Sequence, residues 1–287
     1  MSLVRILRMV KFEHSIFALP FAASAVVLVI REARLEAWRL GLVLVAVVAA
    51  RTAAMAMNRI ADRHIDAENP RTRGRELPTR AVSLRSAYAL LVGSALVFVL
   101  AALAVSPLCG TLALPALGVL LGYSYAKRFT WAAHLWLGAA QALGPIGVAI
   151  ALTGRVPGSA LALGLGVGAW MAGLDILYAL QDLEFDRAAG LCSIPARFGV
   201  ARALLLARLF HALSALAVLG AGLLAGRGAG WLGGSILLAA VLGAEHLYAA
   251  PHGELKLERI GAAFFNFNAF ASVAFAACAL LDLALRT

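Results

Sequence analysis

The stretch LGLVLVAVVAARTAAMAMNRIADRHID, residues 40–66, changes from an almost uninterrupted apolar run to a segment dense in charge. The apolar part is long enough to cross a bilayer as a helix, since about 20 apolar residues span the hydrocarbon core. The polar part carries Asn58, Asp62 and Asp66 at four-residue spacing, which places them on one face of a helix. The stretch therefore predicts a membrane helix whose end bears chemically active side chains.

Apolar runs of this kind recur along the whole chain. Of its 287 residues, 62% are hydrophobic and 14% are charged, whereas soluble domains are roughly half apolar and a quarter charged. We predict an all-α integral membrane protein, a single domain over residues 1–287, with about nine transmembrane helices around a central chamber. We expect the first span to be uncleaved. The predicted spans are 16–30, 40–57, 84–105, 108–122, 131–152, 158–180, 203–224, 231–250 and 260–281.

The formal net charge of +10 is unevenly distributed between the predicted loops. One side of the membrane receives most of the arginines and lysines, including the arginine-rich loop predicted over residues 58–83. Because cytoplasmic loops are enriched in these residues, we place the N-terminus and the long charged loops in the cytoplasm and the C-terminus outside. The same rule accounts for the charge, so we expect no nucleic-acid partner.

Two pairs of aspartates indicate an internal repeat. Asp62 and Asp66 end the second predicted span, and Asp182 and Asp186 end the sixth with the same spacing. We therefore predict two pseudo-repeated halves, each with a cytoplasmic cap that bears a DxxxD motif. Repeats that place a site at their interface are common in membrane proteins.

Paired carboxylates on one helix face repel each other and need a cation. Mg²⁺ prefers oxygen ligands and is usually shared between carboxylates and substrate phosphates. Arginine and lysine side chains bind phosphate, and several of them accompany the acids in the sequence: Arg51, Arg71, Arg75, Arg80 and Lys127. Carboxylates, a hard cation and basic side chains together predict a diphosphate site.

Arg51 and Asp175 are ionisable residues inside predicted spans, where such groups indicate function. Arg51 lies in the second span, and Asp175 lies in the sixth, on a predicted polar stripe with Tyr178, Asp182 and Asp186. A solvated helix end with local ion pairs is the alternative for either aspartate pair alone. An ion-coupled transporter would also place Asp175 and Arg51 inside a bundle, although it would not need the paired motifs.

Four segments resemble the UbiA superfamily of intramembrane prenyltransferases. NRIADRHIDAENPRTRGRELP at 58–78 and YALQDLEFDRAAGLCSIPARFG at 178–199 are similar to its NxxxDxxxD and DxxxD motifs. The segment at 122–154 resembles the region between them, and KFEHSIFALPF at 11–21 the N-terminal stretch. The resemblance is closest to the branch that prenylates 4-hydroxybenzoate. Arg59 departs from the pattern, because many relatives carry aspartate there.

The resemblance implies a Mg²⁺-dependent transfer of a polyprenyl group from its diphosphate to an aromatic acid, as in quinone biosynthesis. It implies nine helices around a chamber that opens sideways to membrane lipid, and we expect no obligate protein partner. The implied metal ligands are Asn58, Asp62, Asp66, Asp182 and Asp186. The implied diphosphate-binding residues are Arg71, Lys127, Tyr123, Arg75 and Arg80. The residues implied to line the chamber near the acceptor are Arg51, Asp175 and Tyr178. The acceptor could instead be a naphthoate, haem or a glycerol ether lipid.

Smaller features of the sequence carry structural expectations. Asn266 and Asn268 in the last span predict hydrogen bonds between helices. Cys109, Cys192 and Cys278 are widely separated and form no CxxC motif, so we expect all three to be reduced.

Overall fold

The computed structural model describes residues 3–11, 15–33, 35–251 and 254–285, with side chains described for all of these except residues 3, 15–18 and 262–264. Every regular element in these ranges is a helix, which confirms the all-α prediction. The three cysteines are unpaired, as predicted. By contacts the chain divides into two compact units, one of residues 1–15 and 35–125 and the other of residues 16–34 and 126–287.

The α-helices are α1 (Leu3–Met9), α2 (Ser15–Val29), α3 (Ala37–Glu68), α4 (Leu84–Val105), α5 (Pro107–Gly122), α6 (Ala133–Thr153), α7 (Gly158–Ala179), α8 (Leu183–Ala188), α9 (Ile194–Leu224), α10 (Ala229–Ala249), α11 (Leu257–Ala262) and α12 (Asn268–Ala284). Short 3₁₀ segments cover Tyr123–Arg128 and Leu180–Asp182. A π-helical segment, Ala263–Phe267, separates α11 from α12.

Eight helical stretches of the described residues are long and apolar enough to cross a membrane, so the protein is a multi-pass membrane protein. They correspond to eight of the nine predicted spans. The first predicted span is represented by α2, whose 15 residues make it shorter than these eight. The number nine, the central chamber and the caps stay predictions, as does the orientation of the termini.

The smaller unit contains α1, α3, α4 and α5. Helix α3 packs against both α4 and α5, and α4 packs against α5. Ser106 is the single residue between α4 and α5, and its hydroxyl caps α5 by accepting a hydrogen bond from the N–H of Cys109 (3.1 Å). The two helices therefore form a tight hairpin that turns at Ser106.

The larger unit is organised around α7. This helix packs against both α6 and α9. In its apolar stretch 67% of the residues are buried inside the protein, the highest share among the eight candidate spans. Helix α10 packs against α9 and α12. Ionisable residues of membrane helices almost always face the protein interior rather than lipid, and Asp175 lies in this helix.

A buried polar network in the same unit confirms one of the asparagine predictions. Asn268 donates a hydrogen bond to Oε1 of Glu245 (2.9 Å) and accepts one from the indole N–H of Trp170. These bonds join α12 to α10 and α7. Asn266 lies in the π-helical segment, and its predicted hydrogen bond stays a prediction.

The structure corrects several predicted boundaries. Helix α3 continues to Glu68, well past the predicted end at residue 57, so the first acidic motif is helical and the loop is confined to residues 69–83. Helix α9 begins at Ile194 and bends at Gly199, whose backbone is non-helical (φ 80°). In α3, polar residues end the hydropathy signal while helical hydrogen bonding continues, whereas in α9 a short helix precedes the kink at Gly199.

The close approach of α6 and α7 depends on glycine. A Cβ atom added at Gly138 would lie 2.4 Å from the carbonyl oxygen of Gly168, a backbone atom that cannot rotate away. Alanine at Gly138 is therefore expected to lower the free energy of unfolding by about 1–3 kcal/mol, as overpacking generally does. Thermal unfolding of the purified protein in detergent measures this change.

Gly144 is the matched control for this prediction. It lies on the same helix, and a Cβ atom added there would meet nothing within 4 Å. Gly144→Ala should leave stability unchanged or raise it slightly, because alanine favours the helix. Equal melting temperatures for the two variants would show that α6 and α7 do not approach as described.

Candidate active site

The first acidic motif occupies the last turns of α3. Asn58 and Asp62 contact each other across one helical turn, with the amide nitrogen of Asn58 donating to Oδ2 of Asp62 (2.9 Å). This bond uses a donor of Asn58 and leaves its amide oxygen as a potential ligand. The predicted i, i+4 geometry of this pair is therefore confirmed.

Asp66 forms an ion pair with Arg75. The Nη1 atom of Arg75 lies 2.8 Å from one carboxylate oxygen of Asp66 and 2.9 Å from the other. Asp66 is buried, and the side chain of Arg75 is 25% exposed. A predicted metal ligand and a predicted diphosphate-binding residue are thus paired directly.

The loop after α3 is ordered by its own side chains. Asn69 and Pro70 end the helix, and the side-chain oxygen of Asn69 accepts the N–H of Arg71 (2.9 Å). The hydroxyl of Thr72 donates to the carbonyl oxygen of Asp66 (3.2 Å). Arg71 and Arg80 have exposed side chains, and Arg80 has a left-handed backbone (φ 57°).

Two arginines of α3 bind the carbonyl end of α1. Arg51 donates to the carbonyl oxygens of Val10 (3.3 Å) and Lys11 (3.0 Å), and Arg59 donates through Nε to that of Met9 (3.0 Å). Arg59 is buried, so the residue that departs from the family pattern has a structural partner. The sequence did not indicate these contacts, and the acceptor-binding role of Arg51 stays a prediction.

The helical geometry changes just before the second acidic motif. Helix α7 ends at Ala179, the 3₁₀ segment Leu180–Asp182 follows, and α8 begins at Leu183. A 3₁₀ segment has about 3.0 residues per turn rather than about 3.6, so it changes the angle about the helix axis between Asp175 and the two later aspartates. Helical structure nevertheless continues from Gly158 to Ala188, and the single polar stripe from Asp175 to Asp186 stays a prediction.

Both aspartates of this motif are buried. Asp182 is 6% exposed and Asp186 is 2% exposed. Oδ2 of Asp186 is buried and has no hydrogen-bond partner among the described residues. Burying a carboxylate oxygen without a partner is costly, which makes this atom a natural ligand for a cation.

Lys127 lies near this motif in the same unit. Its carbonyl oxygen accepts the N–H of Cys192 (2.7 Å), which joins the 3₁₀ segment before α6 to the chain after α8. Its ammonium group interacts electrostatically with Asp186. Tyr178 packs against a hydrophobic cluster that includes Ala203, whereas Tyr123 belongs to the smaller unit, at the end of α5.

Asp175 has a partner that the sequence reasoning missed. Oδ2 of Asp175 lies 2.6 Å from Nδ1 of His134, and Nε2 of His134 lies 3.2 Å from the backbone nitrogen of Ile194. His134 is fully buried. An ionisable residue at the start of a predicted span was a signal that could have drawn attention to it.

The oxygen donors in the structure could supply only part of the ligand shell of Mg²⁺. No three His, Cys, Asp or Glu side chains form a metal-binding group in the portion of the chain that is described. Mg²⁺ is commonly bound by one or two carboxylates, with waters and substrate phosphates completing its shell. In the larger unit the unpartnered Asp186 oxygen suits that mode, and in the smaller unit the Asn58–Asp62 pair does.

These features define the class, a helical multi-pass membrane protein with acidic motifs at the ends of two of its helical stretches. A model of the UbiA prenyltransferase family matches residues 18–270, and the chain belongs to this family. The motif resemblance is thereby confirmed, together with the enzyme class that it implied, a prenyltransferase.

Known proteins show how close the similarity is. A 4-hydroxybenzoate octaprenyltransferase of Aromatoleum aromaticum is 36% identical over 200 residues, which are 68% of this chain and 66% of that protein, just under two thirds of its length. The apo structure of a UbiA homolog from Aeropyrum pernix K1 superposes with a TM-score of 0.85 at 32% identity, covering 94% of this chain and 98% of the other.

A more distant structure shares the fold. A UbiA homolog from Archaeoglobus fulgidus, solved bound to GPP and Mg²⁺, has a TM-score of 0.68 and 19% identity, covering 94% of this chain and 99% of its own. At this identity the likeness concerns the fold alone.

Proposed function

We propose that this protein transfers a polyprenyl group from an allylic diphosphate to an aromatic acid, 4-hydroxybenzoate. The observation that carries the proposal is the inward-set second motif, with an unpartnered oxygen of Asp186 near the ammonium of Lys127. A carboxylate that needs a cation, next to a side chain suited to phosphate, fits a metal–diphosphate substrate. The relative from Aromatoleum aromaticum supports 4-hydroxybenzoate as the acceptor.

Mg²⁺ is the proposed cofactor, and the Archaeoglobus fulgidus homolog that was solved with GPP and Mg²⁺ supports it. When bound, the ion would neutralise charge that develops on the leaving diphosphate. The proposed ligands are Asn58, Asp62, Asp66, Asp182 and Asp186. The ion pair of Asp66 with Arg75 means that Asp66 would bind the metal only by sharing or exchanging this partner.

The basic side chains have the proposed role of holding the diphosphate. Arg71 and Lys127 would bind its oxygens, aided by Tyr123, Arg75 and Arg80. Fixed positive charges of this kind stabilise a leaving anion without reorganisation during the reaction. Because these residues lie at the ends of membrane helices, the diphosphate stays at the membrane edge, while the isoprenoid tail remains in lipid at about 0.8 kcal/mol saved per CH₂ kept from water.

The proposed reaction exchanges one bond for another. The allylic C–O bond breaks and its electron pair leaves with the diphosphate. The ring carbon ortho to the acceptor hydroxyl forms the new C–C bond, and loss of its proton restores aromaticity. Arg51 is the proposed partner of the acceptor carboxylate, while Asp175 and Tyr178 would face the acceptor ring.

We also propose that the N-terminus and the charged loops face the cytoplasm, in accordance with the positive-inside rule. A naphthoate, haem or a glycerol ether lipid is the alternative acceptor within the same chemistry. Family membership favours an enzyme over the ion-coupled transporter that the sequence also allowed.

The direct test is prenyl transfer in purified membranes. With a short allylic diphosphate, 4-hydroxybenzoate and Mg²⁺, we expect a prenylated acid that chelation by EDTA abolishes and excess Mg²⁺ restores. Metal-dependent loss of the diphosphate without this product would reject 4-hydroxybenzoate, and the same assay with a naphthoate would follow. If folded protein neither transfers nor hydrolyses the diphosphate, the proposed function is wrong.

A further inference from the structure

We propose that His134 is a positioning residue that holds the carboxylate of Asp175 in place for the aromatic acceptor. The inference rests on the proposed function, because it assigns Asp175 to the acceptor step. It is carried by contacts within the larger unit, between the start of α6, the interior of α7 and the start of α9.

The ring of His134 is held at both nitrogens. Its Nδ1 atom lies 2.6 Å from Oδ2 of Asp175, and its Nε2 atom lies 3.2 Å from the backbone nitrogen of Ile194. The His134 side chain has no exposed surface, whereas the Asp175 side chain is 24% exposed. The histidine is therefore sealed behind the carboxylate, and the carboxylate itself is accessible.

These contacts determine where the ring proton lies. A backbone N–H can only donate, so Nε2 must accept from Ile194 and cannot carry a hydrogen. The ring hydrogen therefore lies on Nδ1 and is donated to Oδ2 of Asp175. The Ile194 N–H thus sets which ring nitrogen faces the carboxylate as a donor.

The group that holds the His134 ring is a backbone N–H at the start of α9. The first N–H groups of an α-helix have no partner within the helix, and Ile194 is the first residue of α9. The hydroxyl of Ser193 caps the same turn by accepting the N–H of Ala196 (3.2 Å). Since backbone and cap fix the position of the Ile194 N–H, they fix the ring and, through it, the carboxylate.

A carboxylate in a fixed position suits one part of the proposed chemistry. It can accept a hydrogen bond from the acceptor hydroxyl, which increases electron density at the ortho carbon as that carbon attacks the allylic cation. Catalytic groups that are held by buried hydrogen bonds lose activity when the support is removed, because small displacements are costly. His134 would act on transfer only through Asp175.

Kinetics of His134→Ala and His134→Gln in purified membranes test the inference. We expect His134→Ala to lower kcat/KM for 4-hydroxybenzoate by about 10–100-fold, while KM for the allylic diphosphate changes by less than about twofold. Glutamine can accept from Ile194 and donate to Asp175, so His134→Gln should recover most of the loss. His211→Ala removes another buried histidine of the same unit. It should leave kcat/KM for 4-hydroxybenzoate unchanged.

A double-mutant cycle distinguishes positioning from general packing. In an Asp175→Asn background, His134→Ala should have little further effect, because its target carboxylate is gone. If the losses in kcat/KM caused by His134→Ala and Asp175→Asn multiply in the double variant, the inference is overturned. Failure of His134→Gln to restore kcat/KM would overturn it too. A rise in the melting temperature of each variant when Mg²⁺ and the diphosphate are added would show that the variant is folded.

The two proposals fail in different ways. If the unaltered enzyme transfers no prenyl group to any acceptor, the proposed function is wrong and the role of His134 in it is wrong too. If the unaltered enzyme transfers normally and His134→Ala matches it, only the inference about His134 is overturned.

Discussion

Alanine at Asp62 or at Asp182 is expected to lower Mg²⁺-dependent prenyl transfer by about 10²–10³-fold, the usual cost of losing one group that stabilises developing charge. Each carboxylate is a proposed metal ligand, and an ion bound by few protein oxygens depends strongly on each of them. The rate of transfer from a short allylic diphosphate to 4-hydroxybenzoate, measured over a range of Mg²⁺ concentrations, checks the expectation.

Exposed acidic residues close to the two motifs provide matched controls for these variants. Glu68 lies at the end of α3 and Glu184 lies in α8, and both are exposed. Glu68→Ala and Glu184→Ala should transfer at close to the wild-type rate. Wild-type transfer by Asp62→Ala or by Asp182→Ala would remove the corresponding motif from the metal site.

The spans were predictable because the bilayer imposes their length and composition. The helix over Leu84–Val105 matches its prediction at both ends, since Ser83 and Ser106 cap it where the apolar run stops. The end of α3 was not predictable from hydropathy, because its last residues are polar yet keep their helical hydrogen bonds through to Glu68. Hydropathy reflects whether the side chains of a helix face lipid or water. The end of the helix is determined by where its backbone hydrogen bonds stop.

The acidic motifs were predictable for a similar local reason. Residues four apart meet across a helical turn, so the contact of Asn58 with Asp62 follows from spacing alone. The contact of His134 with Asp175 joins residues 41 positions apart and depends on how α6, α7 and α9 pack. The 3₁₀ turn before Asp182 likewise carries no clear signature in composition. Local periodicity therefore located the candidate ligands, and tertiary packing determined the groups that hold them.

Alanine at Arg75 is expected to impair the smaller unit more than loss of any exposed arginine. The change leaves the carboxylate of Asp66 buried without its partner, and breaking a buried ion pair in this way costs about 3–5 kcal/mol. Because Arg75 is 25% exposed and water can partly replace it, we expect a smaller loss, of about 2–3 kcal/mol. Thermal unfolding in detergent measures the loss, and transfer kinetics measure its effect on the proposed diphosphate site.

The exposed Arg85 in the first turn of α4 is the charge-matched control, and Arg85→Ala should change the free energy of unfolding by less than about 0.5 kcal/mol. An Asp66→Asn background tests the cause. With the carboxylate removed, Arg75→Ala should cost much less, because no uncompensated charge remains. An equal cost in both backgrounds would show that Arg75 stabilises the loop independently of Asp66. Greater transfer by Arg75→Ala would instead mean that the ion pair withholds Asp66 from the metal.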